Sequence, residues 1–243
     1  VIDASGDNSA VNVNRSLRAA FKDEQTAGVV LKINSPGGSP VQSGLIYREI
    51  KRLRDKYPDT RLIAVVEEVC ASGGYYIAAA ADEIYADKAS LVGSIGVTAA
   101  SFGFVGTMEK LGVERRTYTS GEHKAFLDPF QPEKPEERQF WQTVLDTTHQ
   151  QFIDQVKAGR GDRLKETPDM FSGLVWSGEQ ALDLGLIDGL SSTSAVARDV
   201  IGVEELVDFT HQESPFTRFT RQLGASMGAA FATELGFSGP ALR

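Results

Sequence analysis

Several residue types and patterns are scarce in this sequence, and each scarcity narrows what the protein can be. Cys70 is the single cysteine among 243 residues, so no disulfide can form within the chain. No stretch of about 18 or more apolar residues occurs, so the given chain predicts no transmembrane helix. The net charge is -8, and lysine and arginine form no dense stripe, which argues against nucleic acid as a partner.

Helix and strand patterns alternate along the chain. Strands are predicted at 28–34, 61–67, within 83–119, at 186–190 and at 203–209. Helices are predicted at 11–24, 39–57, 72–81, 105–111, 136–157 and 177–185. Repeated strand–helix units with short loops are typical of α/β proteins with a mostly parallel sheet flanked by helices. We therefore predict that fold class, with one domain at 1–210 and a helical C-terminal tail at 211–243.

The two ends of the chain carry separate expectations. Residues 1–6 read as the tail of a strand that runs into a turn, so we expect the chain to be a fragment of a longer protein. The C-terminal tail includes a stretch of small apolar residues between Gly224 and Ala232. Such a tail could pack on the domain as an amphipathic helix, or it could occupy a binding groove.

Ser72 is the first candidate for chemistry. It follows a predicted strand, begins a predicted helix and precedes Gly73 and Gly74. A nucleophile at such a turn would have the free N–H groups of the helix start beside a developing oxyanion. The local pattern alone favours a simpler interpretation, a helix N-cap. The G-x-S-x-G elbow is absent, because Cys70 stands where its first glycine would be.

A second glycine-rich turn, at 35–38, follows the strand predicted at 28–34. Gly37 and Gly38 could present N–H groups to a carbonyl oxygen, although a plain turn into the next helix is the simpler interpretation. The helix that follows is predicted to begin with a capping box formed by Ser39 and Gln42, with Pro40 at its first position. A second capping box is predicted at Ser177 and Gln180.

A serine nucleophile needs a base, and the sequence offers few candidates. His123, His149 and His211 are the only histidines, and no sequence rule ties any of them to Ser72. His149 and His211 are expected at the surface. A lysine can replace histidine when desolvation lowers its pKa, but spacing alone does not single out Lys124 among the lysines.

Five motifs, in order, resemble the signature series of the signal peptide peptidase A (SppA) family. They are Asn34-Ser35-Pro36-Gly37-Gly38, Ala71-Ser72-Gly73-Gly74-Tyr75-Tyr76, Gly93-Ser94-Ile95-Gly96-Val97, Ser120-Gly121-Glu122-His123-Lys124 and Trp176-Ser177-Gly178-Glu179-Gln180-Ala181, the last followed by Gly185-Leu186-Ile187-Asp188. The similarity covers roughly residues 28–190. The chain's length resembles the short single-domain form or its relative SohB.

The resemblance implies a Clp protease/crotonase-like fold and a serine endopeptidase with a Ser–Lys dyad. Ser72 matches the nucleophile and Lys124 the general base. Gly38 matches the oxyanion-hole glycine, helped by the Gly73 N–H, and Ser94 matches a serine that orients the lysine. No metal or cofactor is implied. Cys70, which stands where alanine is usual, is interpreted as a small buried residue rather than a second nucleophile.

The resemblance also implies partners and a location. Members of the family cleave remnant signal peptides at the bacterial inner membrane, and their catalytic domain is expected in the periplasm. They assemble as rings, and in the short form the serine and lysine come from neighbouring subunits. The family's first strand and N-terminal membrane anchor have no counterpart in this sequence. Two alternatives remain: a crotonase-like acyl-CoA enzyme, and a non-catalytic membrane scaffold on the same fold.

Overall fold

The computed structural model describes residues 1–211 and places alternating helices and strands along them. The helices are α1 (Ala10–Lys22), α2 (Pro40–Lys56), α3 (Gly73–Ala78), α4 (Val105–Leu111), α5 (Pro135–Arg160), α6 (Gly178–Asp183) and α7 (Thr193–Ala195), which continues as a π-helix over Val196–Ile201. The strands are β1 (Gly28–Ser35), β2 (Arg61–Ala71), β3 (Glu83–Ala86), β4 (Leu91–Gly93), β5 (Val175–Ser177) and β6 (Gly189–Leu190). The tail predicted at 211–243, apart from its first residue, lies outside the described residues.

The sheet is built around strand β2. Strand β1 pairs with one side of β2, and β3 and β4 pair in succession with the other side, all in parallel. Strand β6 extends the sheet beyond β3 in parallel, whereas β5 lies antiparallel to β4. The predicted α/β class with a mostly parallel sheet is therefore confirmed. Because β1 and β2 run side by side, the turns that follow them emerge at the same edge.

Three strand predictions need correction. The strand predicted at 186–190 is reduced to Gly189–Leu190, because residues 186–188 form a bend. Strand β2 extends to Ala71 instead of ending at Glu67, because Val69–Ala71 pairs with β4. The strand predicted at 203–209 is wrong: these residues form no ladder. They line a groove of about 630 Å³ together with the outer edge of β1, and most of them are exposed. Apolar side chains alone do not make a strand when the backbone lacks a hydrogen-bonded neighbour.

The two predicted capping boxes differ in outcome. At α6, the Ser177 hydroxyl accepts the Gln180 N–H and the Gln180 side chain accepts the Ser177 N–H, so the box is confirmed. At α2, the Ser39 hydroxyl accepts the Gln42 N–H at 3.3 Å, but the Gln42 side chain instead accepts the N–H of Ala10 at 2.8 Å. Gln42 therefore links the start of α1 to α2, and only half of the predicted box is present.

The core lies between β2 and the helices that flank it. Buried apolar side chains come from α2, β2, α3 and α5: Ile46, Ile50, Leu53, Leu62, Ala64, Val66, Tyr75, Ala78, Phe152 and Val156. Helix α5 approaches α3 so closely that a Cβ on Gly159 would collide with the carbonyl of Ala79. Small residues at this crossing bring α5 directly against the helix that Ser72 precedes.

Arg160 anchors the C-terminal end of α5. Its side chain is 1% exposed and donates two hydrogen bonds to Asp188, at 2.7 and 2.9 Å, and one to the Gly185 carbonyl at 3.0 Å. Asp188 also accepts the N–H of Ile84 at 2.7 Å. Burial alone would raise the pKa of Asp188, but these hydrogen bonds and the Arg160 charge lower it below its usual value.

Replacing Asp188 with alanine should therefore leave Arg160 as an unpaired buried charge. We expect the free energy of unfolding, measured by urea denaturation, to fall by about 3–5 kcal/mol. Asp199 provides the control, because its ion pair with Arg198 is about half exposed on both sides. Asp199→Ala should cost less than about 1 kcal/mol. Equal losses in the two variants would show that the buried pair does not anchor α5.

Helix α5 is the longest helix in residues 1–211. Its sequence mixes charged and apolar residues throughout. No helix in the described part of the chain combines the length and apolar character needed to cross a membrane.

Candidate active site around Ser72

Ser72 lies between the end of β2 and the start of α3. It occupies the N-cap position of α3, but its side chain makes no capping hydrogen bond, unlike those of Ser39 and Ser177. The interpretation of Ser72 as a simple cap is therefore wrong. The hydroxyl is left available for another task.

The backbone of Ser72 is strained. Its φ is 52° and its ψ is -123°, a combination that L-residues rarely adopt and that costs roughly 1–3 kcal/mol. The surrounding hydrogen bonds hold it there: the Ser72 N–H donates to the Gly93 carbonyl at 2.8 Å, and its carbonyl accepts the Tyr76 N–H at 2.9 Å. A strained serine at a strand-to-helix turn is typical of a nucleophile that the fold presents to a substrate.

Gly37 and Gly38 lie directly against Ser72. Both have positive φ angles, 108° and 144°. A Cβ on Gly37 would lie 2.7 Å from the Ser72 Cβ and 2.9 Å from the Gly73 nitrogen, and one on Gly38 would collide with the backbone of Ile2. Only glycine fits these two positions, because both the backbone angles and the neighbouring atoms exclude a side chain.

Two backbone N–H groups lie beside Ser72 at this turn. Ile2 forms a parallel bridge at Gly38 that uses the Gly37 carbonyl and the Ser39 N–H, so the Gly38 N–H takes no part in it. The Gly73 N–H belongs to the first residue of α3 and has no partner within the helix. A Cβ on Gly73 would lie 3.4 Å from the Gly38 nitrogen, so the two residues are neighbours. Donors placed beside a nucleophile can stabilise a developing negative charge.

Ser94 follows β4 on the far side of Ser72. Its φ is 51°, and its N–H donates to the Leu174 carbonyl at 2.7 Å. The Trp176 ring covers Gly93 so closely that a Cβ there would lie 2.7 Å from it. Gly93, whose carbonyl accepts the Ser72 N–H, is thus held in place by its contacts with Leu174 and Trp176.

Lys124 lies on a separate, exposed part of the chain. Residues 98–134, here called the arm, contain α4, none of whose residues is buried. Lys124 is exposed within a series of turns at 122–127. Within residues 1–211 of a single chain, no hydrogen bond joins Lys124 to Ser72 or to Ser94. The structure therefore brings together Ser72, Gly38 and Gly73, and no hydrogen bond links Lys124 to Ser72 within residues 1–211 of one chain.

Comparison with known proteins identifies the family. The model of "Peptidase family S49" matches residues 54–204, which include Ser72, Ser94 and Lys124. The chain belongs to peptidase family S49. Its α/β architecture, with a mostly parallel sheet flanked by helices, is the Clp protease/crotonase-like fold that the sequence predicted.

Several curated proteins are similar to this S49 chain. "Serine protease SPPA, chloroplastic" of Arabidopsis thaliana is 35% identical over 186 residues, which are 75% of this chain and 27% of that protein. "Protease 4" of Haemophilus influenzae is 32% identical over 190 residues, 78% of this chain and 30% of that protein. These relatives support an SppA/SohB-like member of the family.

A protein named for another activity is also similar. "Na(+)/H(+) antiporter NhaA" of Brucella abortus is 50% identical over 186 residues, which are 76% of this chain but 25% of that protein. Most of that protein therefore lies outside the matched part. This S49 chain spans between a quarter and a third of the length of the three relatives described here.

Cys70 and the histidines take no part in the site that this S49 chain forms around Ser72. Cys70 is fully buried, and burial raises the pKa of its thiol, so it acts as a core residue. No hydrogen bond joins a histidine to Ser72 in the part of the chain that the structure describes. The same residues contain no group of three or more His, Cys, Asp or Glu side chains that could hold a metal ion.

His149 shows what sequence reasoning missed. It was expected at the surface, but it is half-buried and its Nε2 lies 3.1 Å from the Ile95 carbonyl, next to Ser94. It therefore ties α5 to the segment behind Ser72. A histidine within a long amphipathic helix gives no signal of such a contact, because only the folded chain brings residues 95 and 149 together.

Proposed function

We propose that this S49 chain is a serine endopeptidase with a Ser–Lys dyad, in which Ser72 is the nucleophile and Lys124 the general base. The observation that carries the proposal is the state of Ser72. Its hydroxyl is not used as a helix cap, its backbone is held in a strained conformation, and the Gly38 and Gly73 N–H groups lie beside it. A serine that served only the fold would not need this arrangement.

The proposed reaction follows the ordinary course of acyl transfer. The uncharged amine of Lys124 takes the hydroxyl proton of Ser72 as its oxygen attacks the scissile carbonyl. The Gly38 and Gly73 N–H groups hold the oxyanion of the tetrahedral intermediate. The lysine then gives its proton to the leaving amine, and water hydrolyses the acyl-enzyme with the lysine again acting as base.

We propose that Lys124 comes from a neighbouring copy of the chain. Lysine acts as a base only when its amine is uncharged, and removal from water favours that form. In a single chain Lys124 is exposed and makes no hydrogen bond to Ser72. Packing of the arm against a second copy would remove it from water and bring it to that copy's nucleophile.

The surface of the arm supports this assembly. Phe102 and Leu111 are 80% and 71% exposed, and Tyr118 is 91% exposed. Monomeric proteins rarely expose apolar residues in such number over one short segment, whereas protein interfaces are enriched in aromatic residues. A ring of identical chains, with each arm on its neighbour, would bury them.

The proposed substrates are cleaved signal peptides and other apolar peptides at the bacterial inner membrane, with the catalytic domain on the periplasmic side. The curated relatives support peptidase chemistry of this family. The substrate and the location rest on the resemblance of the five motifs to the SppA series.

A peptide-cleavage assay tests the proposed function. The chain should hydrolyse a quenched fluorescent peptide with the apolar core of a signal peptide, and it should hydrolyse a peptide of equal length with serines in place of leucines much more slowly. Cleavage should occur without added metal and persist in EDTA. No cleavage of either peptide by a sample that sediments as an oligomer would contradict the proposal.

A further inference from the structure

Glu137 is a buried carboxylate in the first turn of α5. Its side chain is 7% exposed, although every other residue from 135 to 151 is exposed or half-buried. Its neighbour Glu136 is exposed and complements the positive end of the helix dipole without leaving water. Burying a second carboxylate is costly, so Glu137 calls for a different explanation.

The Glu137 carboxylate holds the loop that carries Lys124. One oxygen accepts the N–H of Leu127 at 3.2 Å, and the other accepts the Lys134 ammonium at 3.2 Å. The hydrogen bond from Leu127 lowers the pKa of Glu137, and the nearby charges of Lys134 and His123 lower it further. The carboxylate is thus the ionised acceptor for a backbone group three residues beyond Lys124.

Leu127 has a conformation that needs such support. Its φ is 52°, which places a bulky residue in the left-handed region. Consecutive turns connect it with Lys124: the Lys124 N–H donates to Gly121 at 3.2 Å and the Phe126 N–H to His123 at 3.1 Å. The Leu127 N–H is therefore the point at which Glu137 holds the end of this run of turns.

Aromatic contacts attach the same loop to the next turn of α5. The Phe126 ring lies edge-on to Phe140 and Trp141, with centroids 5.8 and 6.0 Å apart. These contacts fix the Phe126 side chain on α5, whereas Glu137 binds the loop backbone at Leu127. A separate contact, the ion pair of Arg115 with the buried Asp128 carboxylate at 2.5 Å, holds the next part of the arm.

We propose that Glu137 is a positioning residue for Lys124: it fixes the turns at 121–127 so that the lysine amine arrives at the nucleophile in one orientation. The inference rests on the proposed function, since it assigns Lys124 as the base. A displacement of about 1 Å in a catalytic group can cost about 100-fold in rate. Loss of the carboxylate should therefore act on turnover rather than on peptide binding.

Three variants test this role in the full chain. Glu137→Ala should lower kcat for the apolar peptide about 100-fold with KM within about twofold of the wild-type value. Glu137→Gln should recover most of kcat, because its amide oxygen can still accept the Leu127 N–H. Glu136→Ala is the control, because it removes the same charge from the neighbouring, exposed position. It should not change kcat. Hydrogen exchange of the Leu127 amide should be faster in Glu137→Ala and near wild type in Glu137→Gln.

The possible results separate this inference from the proposed function. If Lys124→Ala is inactive and a folded Glu137→Ala has wild-type kcat, the dyad stands and the positioning role is overturned. If Lys124→Ala is active, the dyad is wrong and the positioning role fails with it. If Glu137→Ala does not fold, Glu137→Asp replaces it as the test, because its side chain is shorter by one methylene and moves the carboxylate away from the Leu127 N–H. Its kcat should then fall at least tenfold, and an unchanged kcat would overturn the inference.

Discussion

Replacing Ser72 with alanine should lower peptide turnover about 10,000-fold or more while leaving the fold intact. The hydroxyl is the proposed nucleophile, and residual turnover would come only from the N–H groups of Gly38 and Gly73. The hydroxyl makes no capping bond, so its loss should not destabilise α3. The measurement is turnover of the apolar peptide, with circular dichroism and thermal melting as folding controls.

Ser194→Ala is the matched control for this variant, because Ser194 is exposed outside the arm and has no assigned role. It should keep wild-type turnover. Substantial peptidase activity in a folded Ser72→Ala protein would remove the serine from the mechanism. Unchanged turnover of an acyl-CoA thioester by Ser72→Ala would favour a crotonase-like enzyme instead.

Replacing Lys124 with alanine should abolish turnover to a similar extent, because Lys124 is the base proposed for Ser72. The control is Lys22→Ala, which removes an exposed lysine from α1, outside the arm, and should leave turnover unchanged. A folded Lys124→Ala protein with substantial activity would exclude lysine as the base.

Mixing the two inactive variants tests whether the site is shared. A Lys124→Ala copy keeps Ser72, and a Ser72→Ala copy keeps Lys124, so a mixed ring contains some complete sites. Random assembly of equal amounts should restore about a quarter of wild-type turnover, because half of the copies supply each intact residue. No recovery, in rings shown by mass spectrometry to be mixed, would place both residues in the same subunit.

The sequence indicated both glycine-rich turns, but not that they meet. Parallel neighbouring strands end at the same edge of a sheet, so Gly38 and Ser72 come together because β1 pairs with β2. The strained backbone of Ser72 could not be predicted. It depends on the hydrogen bond to Gly93, which is 21 residues away in the chain and reaches Ser72 only through the pairing of β2 with β4.

The extent of β2 was underestimated for the same kind of reason. Glu67 and Glu68 interrupt its apolar run, and local pattern reasoning ended the strand there. Pairing with β4 carries the strand on to Ala71, so hydrogen bonds between strands prevailed over side-chain polarity. This extension places Ser72 directly at the edge of the sheet.

The contacts that α5 makes could not be predicted from the sequence pattern. A glutamate in the first turn of a helix is common, so Glu137 could not be distinguished from Glu136. Asp188 was part of a quoted motif, but its partner Arg160 was not, and the pair forms only when α5 packs on the sheet. Lys124 lies in a loop without periodicity, and the motif resemblance alone assigned it a role.

Covalent labelling with a fluorophosphonate probe tests the central claim most directly. The wild-type protein should gain the mass of one phosphonyl group per chain, peptide mapping should locate it on Ser72, and Ser72→Ala should gain none. The probe should also abolish peptide turnover in proportion to labelling. A wild-type oligomer that hydrolyses peptides yet carries no adduct on Ser72, or carries it on another residue, would contradict the assignment of Ser72 as the nucleophile.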